Sequence, residues 1–257
     1  MYKAYLTGVY SAHMRGERAL IVTMSHVTTP ATPVIAPIPP LPQTQAKNST
    51  TFRVPPLDGS MMLPDIWDWH REYSPKHPVF VYTQDDGSER VLNWTDVGHG
   101  LHRAGLLVRS RLSVSSEEKP VVAILAASGR QLIVSPEIMY EFARFTTDFI
   151  TYFLTHTGVM RANCVPFPIS PRNSPQAVAH LVHKMDSALL LVGLDPHSQK
   201  LAQDAFQVMK ESGTSIPDHM NMPEFEDLIK DEQSPKFLPH YNHRQLDMGV
   251  IIHSSGM

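Results

Sequence analysis

The run Pro120-Val121-Val122-Ala123-Ile124-Leu125-Ala126-Ala127 does most to restrict what this chain can fold into. It is continuously apolar and rich in β-branched side chains, so a strand made from it has no face suited to water. Such strands belong to parallel sheets covered by helices on both sides. Helices and strands then alternate downstream: helix near Phe149–Met160, strand Val165–Ile169, helix Pro175–Lys184, strand Ala188–Val192, helix His197–Lys210, strand Met248–Ile252. Strands separated by helices of that length form right-handed βαβ units. The expected fold is therefore α/β, an incomplete doubly wound sheet with flanking helices. Val121–Ala127, Val165–Ile169, Ala188–Val192 and Gly249–His253 are its expected central strands.

Upstream of the sheet, Leu63-Pro64-Asp65-Ile66-Trp67-Asp68-Trp69-His70 places proline in a first helical turn and Leu63, Ile66, Trp67 and His70 on one face, the pattern of a short amphipathic helix. Pro78–Tyr82 and Arg90–Trp94 are β-rich runs separated by Asp85-Asp86-Gly87-Ser88, which predicts a hairpin. Thr95 is the expected cap of a following helix through Val97, Leu101, Ala104 and Leu107. From Pro30 to Pro42, six positions are proline, removing backbone donors and favouring extended chain. Residues 1–53 are accordingly expected to be a disordered leader and 54–257 the folded domain.

Composition removes several function classes. Lys+Arg of 22 against Asp+Glu of 25 gives a net charge of -3, with no basic run to track a phosphate backbone, so nucleic acid is not an expected partner. The single cysteine, Cys164, lies in an apolar run and permits no disulfide framework or cysteine metal cluster within one chain. The 14 histidines are scattered, and the close pair His180/His183 lacks a third ligand at metal-binding spacing, so no metal site is expected. No stretch approaches the ~20 apolar residues of a membrane span, and Arg15, Glu17 and Arg18 interrupt any signal core. The expected compartment is the cytoplasm. A Rossmann dinucleotide site is disfavoured because no G-x-G-x-x-G turn follows a predicted strand.

The chemistry-bearing feature lies at the end of the last expected strand, which runs into His253-Ser254-Ser255-Gly256. A Ser-Ser-Gly turn there presents hydroxyls and successive backbone N–H groups, a cradle for an anion, although the same residues also make an ordinary flexible tail. The turn Ser170-Pro171-Arg172-Asn173-Ser174-Pro175 reads first as a helix-start signal and second as a pocket lining.

The order of these pieces resembles the adenylation domain of fungal adenylate-forming reductases, which are relatives of aminoadipate reductase, acyl-CoA synthetases and nonribosomal peptide synthetase adenylation domains. The resemblance runs from about Val54 to Gly256. It is carried by Leu57-Asp58-Gly59, Trp67-Asp68-Trp69-His70, Pro78–Tyr82, Val122–Ser128, Ile150–Phe153, Met160-Arg161-Ala162, Pro166–Pro175 and Ile252–Gly256. It implies a partial N-terminal subdomain of an AMP-binding domain. It also implies that His253, Ser254, Ser255 and Gly256 are the first half of the loop that grips the ATP phosphates, with Met257 where the family has Ser or Thr.

In that family a carboxylic acid is activated with ATP and Mg to an acyl adenylate, passed to a phosphopantetheine thiol and reduced with NADPH. The lysine end of the loop, the adenine and ribose motifs, the acid pocket and the mobile lid would all lie downstream. The resemblance thus implies a truncated domain with no complete catalytic set, inactive by itself and binding no cofactor tightly. Family members pass almost directly from the strand to the helix that here begins at Asp148, so Gly129–Thr147 resembles an insertion. A retained intron accounts for it; a genuine extra helix is the alternative. A different class of function, a non-catalytic remnant or interaction module using Pro37-Ile38-Pro39-Pro40, has only a weak PxxP signal.

Overall fold

The computed structural model describes residues 48–84, 86–112, 119–127, 138–231, 234–243 and 247–253, with backbone alone for 138–148. The helix α1 (Leu63–Tyr73) precedes a hairpin of β1 (Pro78–Thr83) and β2 (Glu89–Asn93), then α2 (Trp94–Arg111) and β3 (Val121–Leu125). There follow α3 (Ile138–Arg161), β4 (Val165–Ile169), α4 (Pro175–Lys184), β5 (Leu189–Val192), α5 (Pro196–Glu211), β6 (Asp218–Asn221) and α6 (Phe225–Ile229). Residues 43–252 form one unit; of the other, 1–42 with 253–257, only His253 is described.

The main sheet is parallel throughout, in the order β4-β3-β5-β6. β3 connects outward to β4, and the chain then returns past β3 to β5, so the winding direction reverses at the β3/β5 boundary. Helices cover both faces. Ala123, Leu125, Phe167, Ile169, Leu190 and Val192 pack against Val178 and Val182 of α4 and Leu201, Ala205 and Met209 of α5. Val122, Ile124, Leu189 and Leu191 face Val108 of α2 and Val159 of α3. Each aliphatic side chain fully buried this way contributes about 1.5–3 kcal/mol, which is why the continuous apolar run in β3 has a single consistent placement.

A third cluster joins α1, the hairpin, α2, α3 and α6 through Trp67, Tyr82, Leu92, Leu101, Leu154 and Leu228. The hairpin turns at Gly87, whose φ of 82° lies in the left-handed region that glycine adopts without strain. α2 and α3 cross closely at Gly158, where an added Cβ would stand 2.6 Å from the Leu101 carbonyl oxygen.

The helix starts follow from side-chain chemistry. Asn93, not Thr95, caps α2: its Oδ1 accepts from Thr95 N and Asp96 N at 2.8 and 3.2 Å, while Asp96 Oδ2 accepts from Asn93 N at 2.9 Å. The reciprocal pair satisfies more orphan donors than Thr95 could alone, and Thr95 instead donates to the Pro75 carbonyl at 3.2 Å. Ser174 caps α4 and Asp195 caps α5, each with proline next.

Three further expectations need correction. Residues 48–53, placed in the leader by sequence, are seated: Phe52 stacks on His70 at 5.1 Å, and Arg53 N donates to Ser74 Oγ at 2.9 Å. The rest of the leader, 1–47, lies outside the described residues. Of the segment 129–147, residues 138–147 continue α3 as helical backbone, so α3 begins well before Asp148; the remainder is outside the described residues. Finally, Gly249–His253 is not a strand, and the fourth strand is β6 on the opposite edge.

The reason for that last difference is in β4. Val165 N donates toward β3, to Pro120 O at 2.9 Å, so the alternate positions Pro166 and Pro168 turn their backbone outward. Proline has no N–H. The outer edge of β4 can therefore accept from residues 248–252 but cannot donate at either position, and one bond forms, Ile251 N to Pro166 O at 3.1 Å.

Candidate phosphate-loop segment

Ile251 packs on the α4/α5 side of the sheet, and its N–H donates to Pro166 O on the outer edge of β4. His253 is the last described residue and is half-buried, and burial holds its imidazole below the ordinary value. Ser254, Ser255 and Gly256 lie outside the described residues.

Among the described residues, several polar groups at the carboxyl edge of the sheet are engaged by the protein itself. After β4, Asn173 N donates to Ser170 O at 3.2 Å, and Ser174 Oγ accepts from Ala177 N at 3.2 Å. His197 Nε2 meets the Pro171 carbonyl at 2.8 Å, so this turn is held to the start of α5. The Ser170–Pro175 run thus serves as turn and cap. At the winding reversal, a Cβ on Gly193 would lie 3.1 Å from that of Ala126, so the described ends of β3 and β5 approach closely there. Gln199 Nε2 donates to Gly193 O at 2.7 Å and Asn221 Oδ1 at 2.9 Å. The N-terminus of α5 is occupied by Asp195, whose Oδ1 accepts from Ser198 N at 2.9 Å. That carboxylate occupies the place a bound anion would take.

The strongest polar constellation lies elsewhere and was not singled out as a site by sequence. Asp68 of α1 accepts from Arg161 Nε at 2.7 Å on Oδ2 and pairs with His102 Nε2 at 2.7 Å on Oδ1. Arg161 also donates through Nη1 to the Pro239 carbonyl at 2.7 Å, and Leu238 N donates to His102 Nδ1 at 3.0 Å. Three helices therefore meet at one carboxylate, and the irregular segment 234–243 is tied to both of its partners. Burial pushes Asp68 up, but His102 and Arg161 outweigh it and hold the carboxyl well below the usual range. Its sequence signal was an acidic residue between two tryptophans and an arginine closing an apolar helix, both inside stretches that carry the family resemblance. Among the described residues there is no group of three His, Cys, Asp or Glu side chains placed to hold a metal ion, and no helix is long and apolar enough to cross a membrane.

No family model matches the chain. It is 39% identical over 236 residues to "Adenylate-forming reductase Nps10" of Heterobasidion annosum, a match covering 86% of this chain and 19% of that protein. It is 30% identical over 138 residues to "Adenylate-forming reductase Nps11" of Serpula lacrymans, covering 53% of this chain and 11% of the relative. Among solved structures, the fold matches a Mycobacterium tuberculosis fatty acyl CoA synthetase with a TM-score of 0.52 over 75% of this chain and 32% of that one, at 12% identity. This chain thus spans about a fifth or less of the curated relatives. By sequence, 86% of the chain is thus similar to part of an adenylate-forming reductase, and its fold is that of part of a fatty acyl CoA synthetase.

Proposed function

We propose that this chain forms part of an adenylation domain that activates a carboxylic acid with ATP and Mg, for transfer to a phosphopantetheine thiol and reduction with NADPH. The observation that carries the reading is the 39% identity to an adenylate-forming reductase across 86% of the chain. In this reading His253, Ser254, Ser255 and Gly256 supply the first half of the phosphate loop. The two serine hydroxyls and the backbone N–H groups are the donors an anionic phosphate chain requires. ATP with Mg supplies the adenylyl group when bound; the chain's own residues would orient the phosphates and nothing more.

These 257 residues alone are not expected to turn over. Adenylation requires a cation clamp on the phosphates and exclusion of water at closure, and the relative matched here is about five times longer than the stretch aligned to it. We further propose that 129–147 is an insertion relative to the family pattern.

The test is ATP binding by calorimetry with Mg present, on this chain and on the chain extended with the downstream sequence of the Heterobasidion relative. Weak or absent binding by the first and clear binding by the second, lost in Ser254→Ala/Ser255→Ala, supports the reading. Equal binding in the double variant would remove the phosphate-loop assignment.

A further inference from the structure

The chain from 234 to 243 has no regular secondary structure, yet Leu238 and Tyr241 are buried under the sheet-facing helices. Besides that burial, polar and ring contacts hold this strap. Leu238 N donates to His102 Nδ1 at 3.0 Å, Pro239 O accepts from Arg161, Arg71 lies 4.3 Å over the Phe237 ring, and Phe237 meets the His102 ring edge to face at 5.0 Å.

The bond to Leu238 fixes the protonation state of His102. A backbone N–H only donates, so Nδ1 must be an unprotonated acceptor, and the ring proton sits on Nε2, donated to Asp68. The ring is 1% exposed and has both nitrogens engaged. If a proton from solvent adds to the Nδ1 lone pair, two donors face each other and the Leu238 N–H has no acceptor. A buried N–H without a partner is costly, so the strap must move.

We infer that His102 is a proton-sensitive latch: neutral, it holds the strap 234–243 through Leu238, and on gaining a proton at Nδ1 it releases that strap while the parallel sheet stays folded. The charged groups facing the ring are Asp68 and Arg71 from α1 and Arg161 from α3; His99 lies one helical turn away on α2. Burial is the largest influence and lowers the imidazole's proton affinity; Asp68 raises it, and Arg161 and Arg71 lower it. Asp68 favours the imidazolium less than an isolated carboxylate would, because Arg161 already engages its other oxygen. The net direction is down. The neutral ring therefore favours the closed strap above the ordinary histidine value of about 6.5, and that contribution is lost as pH falls below it.

The test is performed on the full 257-residue chain by nuclear magnetic resonance. Nitrogen shifts of the His102 ring report its tautomer, and hydrogen exchange of the Leu238 amide, normalised for intrinsic rate, is followed from pH 7.5 downward beside the Leu190 amide of β5. The expected result is an Nε2–H tautomer at pH 7.5 and a ring titration below 6.5. Leu238 protection should fall roughly tenfold per pH unit between about 6.5 and that titration and then level off, with Leu190 unchanged. His102→Gln should abolish the pH dependence at Leu238; if that variant fails to fold, the tautomer and the two amides of the unmodified chain still decide. An Nδ1–H tautomer would overturn the latch. So would Leu238 protection that ignores the ring titration, or a parallel loss at Leu190.

Discussion

Asp68 on α1 holds Arg161 on α3 through a 2.7 Å hydrogen bond from Nε, and the arginine side chain it neutralises is only 3% exposed. Breaking a buried pair by removing one partner leaves a charge without compensation, at a cost of about 3–5 kcal/mol. Asp68→Asn should lower stability by that order, read as a lower urea midpoint at unchanged slope. A loss under about 1 kcal/mol would put this pair in the class of weak surface bridges.

The same carboxylate predicts an acid limb. Its folded value lies below the ordinary aspartate value of about 3.9, so the unfolded chain binds the extra proton. Its contribution is fully present above that ordinary value and is lost as pH falls toward the folded one. Asp68→Asn should therefore flatten the loss of stability seen below about pH 4. An unchanged acid limb in the variant would assign it to other carboxylates.

Gly158→Ala tests the helix crossing. The new Cβ would stand 2.6 Å from the Leu101 carbonyl oxygen and 2.9 Å from Gly105 N, both backbone atoms of α2. The helices must separate, costing about 1–3 kcal/mol despite alanine's better helix propensity. Thermal unfolding at a higher temperature than the parent chain would contradict the contact.

Cys164 should be silent while the protein is folded. It is 5% exposed, and burial, partly offset by Arg109, pushes its thiol up to about 11. Only the thiolate attacks disulfide reagents. At pH 8 we expect no reaction of the native chain with a chromogenic thiol reagent, and one equivalent per chain in denaturant.

Much of the sheet was legible because its residues allow one reading. Val121–Leu125 and Leu189–Val192 are apolar on both faces, and Ser174-Pro175 starts a helix by capping chemistry that is purely local. β6 was not legible: Asp218-His219-Met220-Asn221 is polar and mostly exposed, and it becomes a strand only because β5 offers it an open edge. Residues 249–253 failed in the opposite sense. Their apolar character suggested a central strand, but whether a strand forms depends on the partner, and Pro166 and Pro168 leave β4 with no outward donor. The Asp68 network escaped because residues 68, 102, 161 and 238 are brought together only by the helix packing.

Deleting 129–147 tests the insertion. Ile150, Leu154 and Val159, which seat α3 in two cores, all follow Thr147. The deletion variant should keep strand-amide protection in β3, β4 and β5 and give a higher soluble yield. Loss of cooperative unfolding would mean that the N-terminal part of α3 belongs to the domain's core.

Acid-dependent exchange of labelled pyrophosphate into ATP tests the central claim most directly. With Mg and a panel of aryl and aliphatic acids, the 257-residue chain should give none. The stretch aligned here is 19% of the Heterobasidion relative, so most of that protein's sequence has no counterpart in these residues. The chain extended with the Heterobasidion relative's downstream sequence, and lacking 129–147, should give exchange that Ser254→Ala/Ser255→Ala abolishes. Exchange by the 257-residue chain alone, lost on the same double substitution, would contradict the account.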